Sequence, residues 1–185
     1  MPYTPPPSLA ALSLAEIADL VAARRLPPID QWHPAEEIDS QMVIRTDGSW
    51  WHQGAPITRP AMVRAFSTLL MRDTDGQHWL VTPQDRQRIA VEDAAFLAVD
   101  VAAREGALVF RLNTDDTVIA GPDHPIIARG DAETPAIYLA VRHGCEARVN
   151  RSTWGQLVDI ALDNPCANGG LAVDSLGISF PLVPA

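Results

Sequence analysis

The stretch MVIRTDGSWWHQGAPITRPAMVRAFSTLL, residues 42–70, decides the fold. Met42 to Thr46 reads as a strand, Asp47-Gly48 is a hairpin turn signal, and Ser49 to Gln53 is the return strand. Strand side chains alternate, so Trp50 and His52 share one face and Trp51 takes the other. Gly54 punctuates and Ile57 re-enters the core. Thr58 is the expected N-cap of a helix with Pro60 in its first turn. Met62, Ala65, Phe66, Leu69 and Leu70 recur at helical spacing and are expected as its buried stripe.

A weaker copy, AIYLAVRHGCEARVNRSTWGQLVDIAL, runs over residues 136–162. With Arg59 laid on Arg151, Thr58 falls on Asn150, and both are N-cap types. Met62 then meets Trp154, Ala65 meets Leu157, Phe66 meets Val158, Leu69 meets Ala161 and Leu70 meets Leu162. Any two amphipathic hairpin–helix units share such a stripe, so the matched cap and arginine carry the expectation of a duplicated unit. Both arginines fall on the first helical position, where the helix dipole disfavours a cation. They either brace an acid of the neighbouring hairpin or meet an anionic ligand or a partner carboxylate.

Working outward, Met1 to Pro7 is proline-rich and is expected to be extended or disordered. Ser13 and Glu16 fit a capping box ahead of a helix with Leu14, Ile17, Ala18 and Val21 on one face. Arg24 and Arg25 suit its end, and Pro27-Pro28 stops it. This helix is read as a cap on the domain rather than a detachable arm. Residues 28–39 show no period and read as a loop pinned by Trp32. Downstream, strands are expected at Gln77–Thr82, Arg88–Glu92, Phe96–Ala103, Ala107–Asn113, Thr117–Ala120, Ala136–Arg142 and Cys145–Val149, with a closing hairpin of Leu171–Val173 and Ile178–Phe180. The fold class is α+β with more strand than helix. The expected division is an N-terminal arm and helix (1–27), a first α+β unit (28–95) and a second, barrel-like α+β unit (96–185).

Composition narrows the function. Apolar residues make up 47% of the 185, enough for a core without staples, and no apolar run reaches a membrane span. The net charge is −9 and every basic residue is arginine, which argues against broad nucleic-acid binding. Local arginines still suit a single anion. Cys145 and Cys166 form no CxxC, no basic-then-apolar leader opens the chain, and both cysteines read as reduced thiols in a cytoplasmic protein.

No motif declares chemistry. Glu92-Asp93 is a pair of adjacent strand residues that point to opposite faces, unlike a two-carboxylate site. His33, His52, His78, His124 and His143 show no zinc spacing, although His52 and His78 would approach if their strands were neighbours. Ser67 has no nucleophile elbow, and NGGLAVD lacks the lysine of a phosphate loop. No metal and no cofactor is expected.

The strings DGSWWHQGAPITR, WLVTP and VEDAAF, followed by FRLNTDD, GPDHPI and VRHGCEARVNR, resemble an uncharacterised bacterial domain-of-unknown-function family. The likeness covers the chain from about Trp32 onward. It implies a duplicated α+β core, a C-terminal unit superficially like a pleckstrin-homology barrel, a ligand or protein site between the units, and a role in signal transduction. The family's motif positions fall on Asp47, Gly48, Trp50, Gly54, Pro56, Ile57, Arg59, Thr82, Pro83, Glu92, Asp93, Phe96, Arg142 and Arg151. Gln84-Asp85 and Ala95 depart from the family pattern.

The resulting expectation is a soluble binding or regulatory module with its site in the groove between two units. Candidate site residues are Trp50, His52, Arg59, Arg86, Arg88, Glu92, Asp93, Arg142 and Arg151, residue types enriched at binding hot spots among them. The expected partner is a small anionic ligand or a protein segment, and a homo-oligomer is compatible with it. The alternative is a hydrolase-type enzyme using His52 with Glu92 or Asp93 at the same groove.

Overall fold

The structure, a computed structural model, describes residues 13–23, 26–164 and 170–184. Met1–Pro7, Arg24, Arg25, Cys166 and Asn168-Gly169, each assigned a place from the sequence, lie outside the described residues. Helix α1 (Leu14–Ala23) comes first, then a single 3-10 turn at Ile29–Gln31. The first sheet is built from β1 (Glu36–Ile44), β2 (Trp50–His52), β3 (Ala55–Pro56), β4 (Leu70–Arg72), β5 (His78–Val81) and β6 (Asp85–Val91), with α2 (Pro60–Ser67) between β3 and β4. The second contains β7 (Phe96–Arg104), β8 (Ala107–Leu112), β9 (Thr117–Ile119), β10 (Ile126–Gly130), β11 (Pro135–Arg142) and β12 (Cys145–Val149). Helix α3 (Arg151–Asp163) and the hairpin β13 (Ala172–Ser175) and β14 (Ile178–Pro181) follow.

The strand orders are β3-β2-β1-β6-β5-β4 and β10-β11-β12-β7-β8-β9. Read from the third strand of each unit, both are the same arrangement: two three-stranded meanders joined by a parallel pair between the unit's first and last strands. The chain therefore holds two related strand-rich units. They do not align as the sequence suggested. The repeat runs β1–β6 onto β7–β12, whereas residues 42–70 and 136–162 take non-equivalent places. Helix α2 follows the third strand of its unit, and α3 follows the sixth. Amphipathic hairpin–helix units look alike wherever they fall, which is what made the two stretches match.

The helix starts also differ by one residue from their expected alignment. Asn150 caps α3, its side chain accepting from the Thr153 amide at 2.8 Å. In α2 the N-cap is Arg59, at φ −87 and ψ 108, with no side-chain cap bond. Proline pushes the residue before it out of the helical region, so Pro60 makes Arg59 the last extended residue. The inward face shifts accordingly. Val63, Phe66 and Ser67 turn inward while Met62 and Ala65 are exposed, and Leu70 is buried as part of β4. In α3, Thr153, Leu157 and Ala161 are buried and Leu162 is exposed.

Strand β1 starts at Glu36, inside the stretch read as a loop. Glu36 to Asp39 are all exposed yet pair with Asp85 to Arg88, so no apolar alternation announces them. A bulge follows at Ser40–Gln41, where Gln41 takes φ 55 and the Ser40 hydroxyl donates to the Arg88 carbonyl at 2.6 Å. At the N-terminus the capping box forms as its spacing predicts. The Ser13 amide donates to Glu16 Oε2 at 2.8 Å and the Glu16 amide to Ser13 Oγ at 3.3 Å. Helix α1 is a cap: Ile17 is fully buried against Val109, with Leu14, Ala102 and Ile119 around them.

One continuous core spans both sheets, joining Ile44, Trp50, Leu70 and Ile89 to Phe96, Phe110, Ile137 and Leu139. Trp50 stacks on Phe66 with ring centroids 6.3 Å apart. The two units also meet through backbone. The Arg72 amide in β4 donates to the His143 carbonyl at 2.8 Å. His143 (φ 47) and Gly144 (φ 75) form the tight turn between β11 and β12. A Cβ on Gly144 would sit 2.6 Å from the Arg72 carbonyl oxygen, so only glycine lets the turn lie against β4.

Gly144→Ala is expected to cost about 2–3 kcal/mol, the strain of a left-handed alanine together with its backbone clash. Gly106→Ala provides the comparison: it shares a positive φ but meets no atom within 4 Å, and should cost about 1 kcal/mol. Urea midpoints at unchanged m report both, and equal costs would show that the turn is not pressed on β4. Ile17→Ala should lower stability by about 2–4 kcal/mol; an unchanged midpoint would make α1 a loose arm.

Candidate functional site

A groove of about 90 Å³ lies where the two units meet. Arg72 of β4 and His78 of β5 line it from the first unit. Arg129 of β10, Tyr138 of β11 and Glu146 of β12 line it from the second. Asp93, Ala94 and Ala95, in the linker between the sheets, complete the wall. Strand alternation places these groups. In Cys145–Val149 the buried residues are Cys145, Ala147 and Val149, so Glu146 and Arg148 leave from the opposite face. Arg72 and His78 are direct cross-strand partners in the β4–β5 ladder and share a face.

The polar groups of the second unit hold one another. Arg129 grips Glu146 through both carboxylate oxygens, at 2.8 and 2.6 Å. The Tyr138 phenol donates to Asp93 Oδ1 at 2.6 Å and accepts from Arg148 at 2.9 Å. Arg148 also stands 3.7 Å from Asp93 Oδ2. The guanidinium carbons of Arg129 and Arg148 lie 4.5 and 5.1 Å from the centre of the Tyr138 ring. Burial, then the hydrogen bond to Asp93, raises the Tyr138 phenol above its ordinary range, so it stays a donor. The Glu146 hydrogen bond raises Arg129 in turn.

The first unit's contribution is different. Arg72 makes no side-chain hydrogen bond and no ion pair with any other described residue. Burial, and next the Arg72 charge, hold the His78 imidazole below its ordinary value, while Asp73 and Glu146 pull the other way. The groove thus offers an exposed guanidinium with no counter-ion among the described residues, a half-buried imidazole that is neutral at pH 7, and a ring of groups fixed by mutual hydrogen bonds. This arrangement can receive an anion.

The residues singled out from the sequence are scattered, and of the nine only Asp93 lines the groove. Trp50 is 2% exposed and belongs to the core. His52 and Arg59 border a separate shallow hollow of about 260 Å³ at β3 and the start of α2, with Met62. Arg86 pairs with Glu37, stacks 4.4 Å from the Trp79 ring, and borders a third hollow of about 270 Å³ with Trp32 and His33. Arg88 is 5.7 Å from the Trp79 ring. The Glu92 side chain accepts from the Thr46 amide at 2.9 Å. Arg151 is the exposed first residue of α3. His52 and Asp93 do not share a hollow, and His52 and His78 are separated by β1 and β6.

Arg142 is a strut between units. Its guanidinium donates to Asp116 at 3.0 Å and to the Ser67 carbonyl at 3.1 Å, and lies 4.8 Å from the Phe96 ring centre. Nearby, burial pushes the free Cys145 thiol up to about 12, which leaves it unreactive. Sequence reasoning missed Arg72, His78, Arg129, Tyr138, Glu146 and Arg148. The alternation in CEARV shows that Glu146 and Arg148 share a face, but not that the face meets another sheet.

Two family models match the chain in succession. One, described as "Domain of unknown function (DUF1285), N-terminal domain", covers residues 27–94. The other, "Protein of unknown function (DUF1285), C-terminal domain", covers residues 95–182. Among solved structures, the chain is similar to a DUF1285 family protein from Silicibacter pomeroyi DSS-3, with 36% identity, 91% of this chain and 95% of that chain covered, and a TM-score of 0.78. It shares its fold with a DUF1285 family protein from Shewanella baltica OS155, at 21% identity over 65% of this chain and 91% of that one, with a TM-score of 0.54. No curated protein matches it significantly.

Arg142→Ala removes the cation beside Asp116, whose side chain is 3% exposed, and is expected to cost about 3–5 kcal/mol. Arg148→Ala, at a side chain 33% exposed, should cost under about 1 kcal/mol. Chemical denaturation ranks the two, and the reverse order would refute the strut.

Proposed function

The chain belongs to the DUF1285 family, and from that premise we propose that it is a binding or regulatory module whose ligand sits in the groove between its two units. The observation that carries this reading is the Arg72 guanidinium, without an acceptor among the described residues, beside the His78 imidazole in a groove whose remaining charged groups hold one another. Arg142, largely buried, is held by acceptors, whereas Arg72 is exposed and its guanidinium is open to a ligand. Arg72 has its backbone fixed on both sides, by the His143 hydrogen bond and by Gly144, and its charge is left for something else.

A site shared by two units suits regulation, because a ligand there contacts both and stabilises their mutual arrangement. We read a role in signal transduction on that basis. The pleckstrin-homology likeness of the second unit is supported by α3, which follows the sixth strand and packs along β7. No described helix is long and apolar enough to cross a membrane. The hydrolase alternative is less well supported, since His52 lies in a different hollow from Asp93 and Glu92 is engaged by Thr46.

A thermal-shift screen of small metabolites tests the reading. A ligand at a hundredfold excess over its Kd stabilises by about 2.7 kcal/mol, which for a chain of this size raises Tm by roughly 2–4 °C per kcal/mol. The shift should vanish in Arg72→Ala and persist in Arg59→Ala. A compound whose shift is lost only in Arg59→Ala would move the site to the hollow beside β3, and the groove reading would fall.

A further inference from the structure

The chemistry of the groove can be read further from one cross-strand pair. Arg72 and His78 stand directly opposite each other in β4 and β5. Such partners carry their Cβ atoms about 4.5–5.5 Å apart on one face, and like charges in that position repel. Asp73 and Glu146 oppose that repulsion only in part, since burial and Arg72 still hold the imidazole low and both carboxylates are engaged elsewhere. Glu146 is held through both oxygens by Arg129, and Asp93 by Tyr138 and Arg148. Asp73, next along from Arg72, accepts from Trp79 Nε1 at 2.8 Å and from the Gln77 and Asp75 amides at 2.9 and 3.1 Å. In β6, the residue opposite His78 is the apolar Ile89. With the groove empty, a proton on His78 would face Arg72 across the ladder, beside carboxylates already engaged with Arg129, Tyr138 and Trp79.

An anion between the two reverses that balance. It accepts from the Arg72 fork and from a protonated imidazole, two charge-assisted hydrogen bonds in place of a repulsion. A volume of about 90 Å³ admits a compact head group and little more. Resting on the reading of the groove as a binding site, we propose that its ligand is a small oxyanion, with a carboxylate or sulfate-like head, clamped between Arg72 and His78 and taken up together with one proton that settles on the imidazole. The proton comes from solvent and returns to it on release. The site is therefore a proton-coupled anion receptor, and its occupancy reports acidity and anion concentration jointly.

The direction of the coupling follows from the charges. Burial and Arg72 lower the imidazole in the empty groove, and the bound anion raises it. Affinity then strengthens as pH falls through the bound-state value and levels off below the empty-state value. Between those limits it changes by up to about tenfold per pH unit, the signature of one linked proton.

The experiment is isothermal titration of the full chain with sulfate and, separately, acetate, from pH 6 to 8 at constant ionic strength. Each is run in two buffers of different ionisation enthalpy, so that proton uptake is counted directly. The expected result is affinity rising as pH falls, with uptake approaching one proton per anion in the window between the two imidazole values. In His78→Gln, binding should persist weakly with no uptake and a flat pH profile; in Arg72→Ala it should weaken tenfold or more at every pH. An NMR titration of the His78 ring should show its pKa raised by sulfate. Binding of the wild type with no proton uptake overturns the coupling and leaves the groove reading intact. Absence of sulfate and acetate binding at every pH overturns the oxyanion assignment, while the groove reading is decided separately by whether any compound's thermal shift is lost in Arg72→Ala.

Discussion

The contact on which the rest depends is the turn at His143-Gly144 pressed against the backbone of Arg72. A hydrogen bond on one side and a carbonyl with no room for a Cβ on the other fix the first unit's edge strand against the second unit. The contact covers the exposed edge of β4, which would otherwise offer unpaired backbone groups to another chain. It also sets the groove. Glu146 begins one wall two residues after Gly144, and the Arg72 side chain stands on the wall opposite, held at its own Cα. A slip of one residue in either strand would turn the lining side chains to the other face.

Arg142 reinforces the same seam from inside. It ties the second unit's β11 to Asp116 and to the end of α2, over the face of Phe96 at the start of the second sheet. A nearly buried guanidinium held by a carboxylate and a carbonyl resists sliding, because any displacement strands a charge in a poorly solvated place. Rigid packing of the two sheets is what allows a small groove to keep a constant shape. The contrast with Arg72 is chemical. Both are strand arginines at the same seam, one largely buried and matched with acceptors, the other exposed and with none among the described residues.

Much of the fold was legible in the residues. The Asp-Gly and His-Gly turns, the capping box at Ser13 and the Asn150 cap all act locally, so local reading found them. The extended conformation of Arg59 was equally readable from the proline after it, and taking Thr58 as the cap overlooked that restriction. The start of β1 was hidden because Glu36 to Asp39 bury neither face and so carry no period. The repeat was mis-registered because helices sit at different points in the two units, and helical stripes are stronger signals than strand order. The site was the least legible part. Asp93, singled out as half of the Glu92-Asp93 pair and as a family motif position, does line the groove, but the pairing of Arg72 with His78 stayed hidden because residues 70–72 were read as the end of a helix and not as a strand. The Asp75-Gly76 turn sets that register locally, so the pair becomes readable once Leu70 to Arg72 is taken as a strand.

The parallel seam at the centre of each sheet bears on how the chain is made. Glu36 pairs with Asp85, and Phe96 with Ala147, so each sheet is joined across its middle by the first and last strands of its unit. Hairpins such as β7–β8 can pair as they leave the ribosome, but the seam has no partner until the unit's final strand has emerged. Until then the inner edges of β1 and β7 have no parallel partner. The first unit's seam can close fully only once Val91 has been made, and the contact on its outer edge strand β4 needs the turn at Gly144, from the far end of the second.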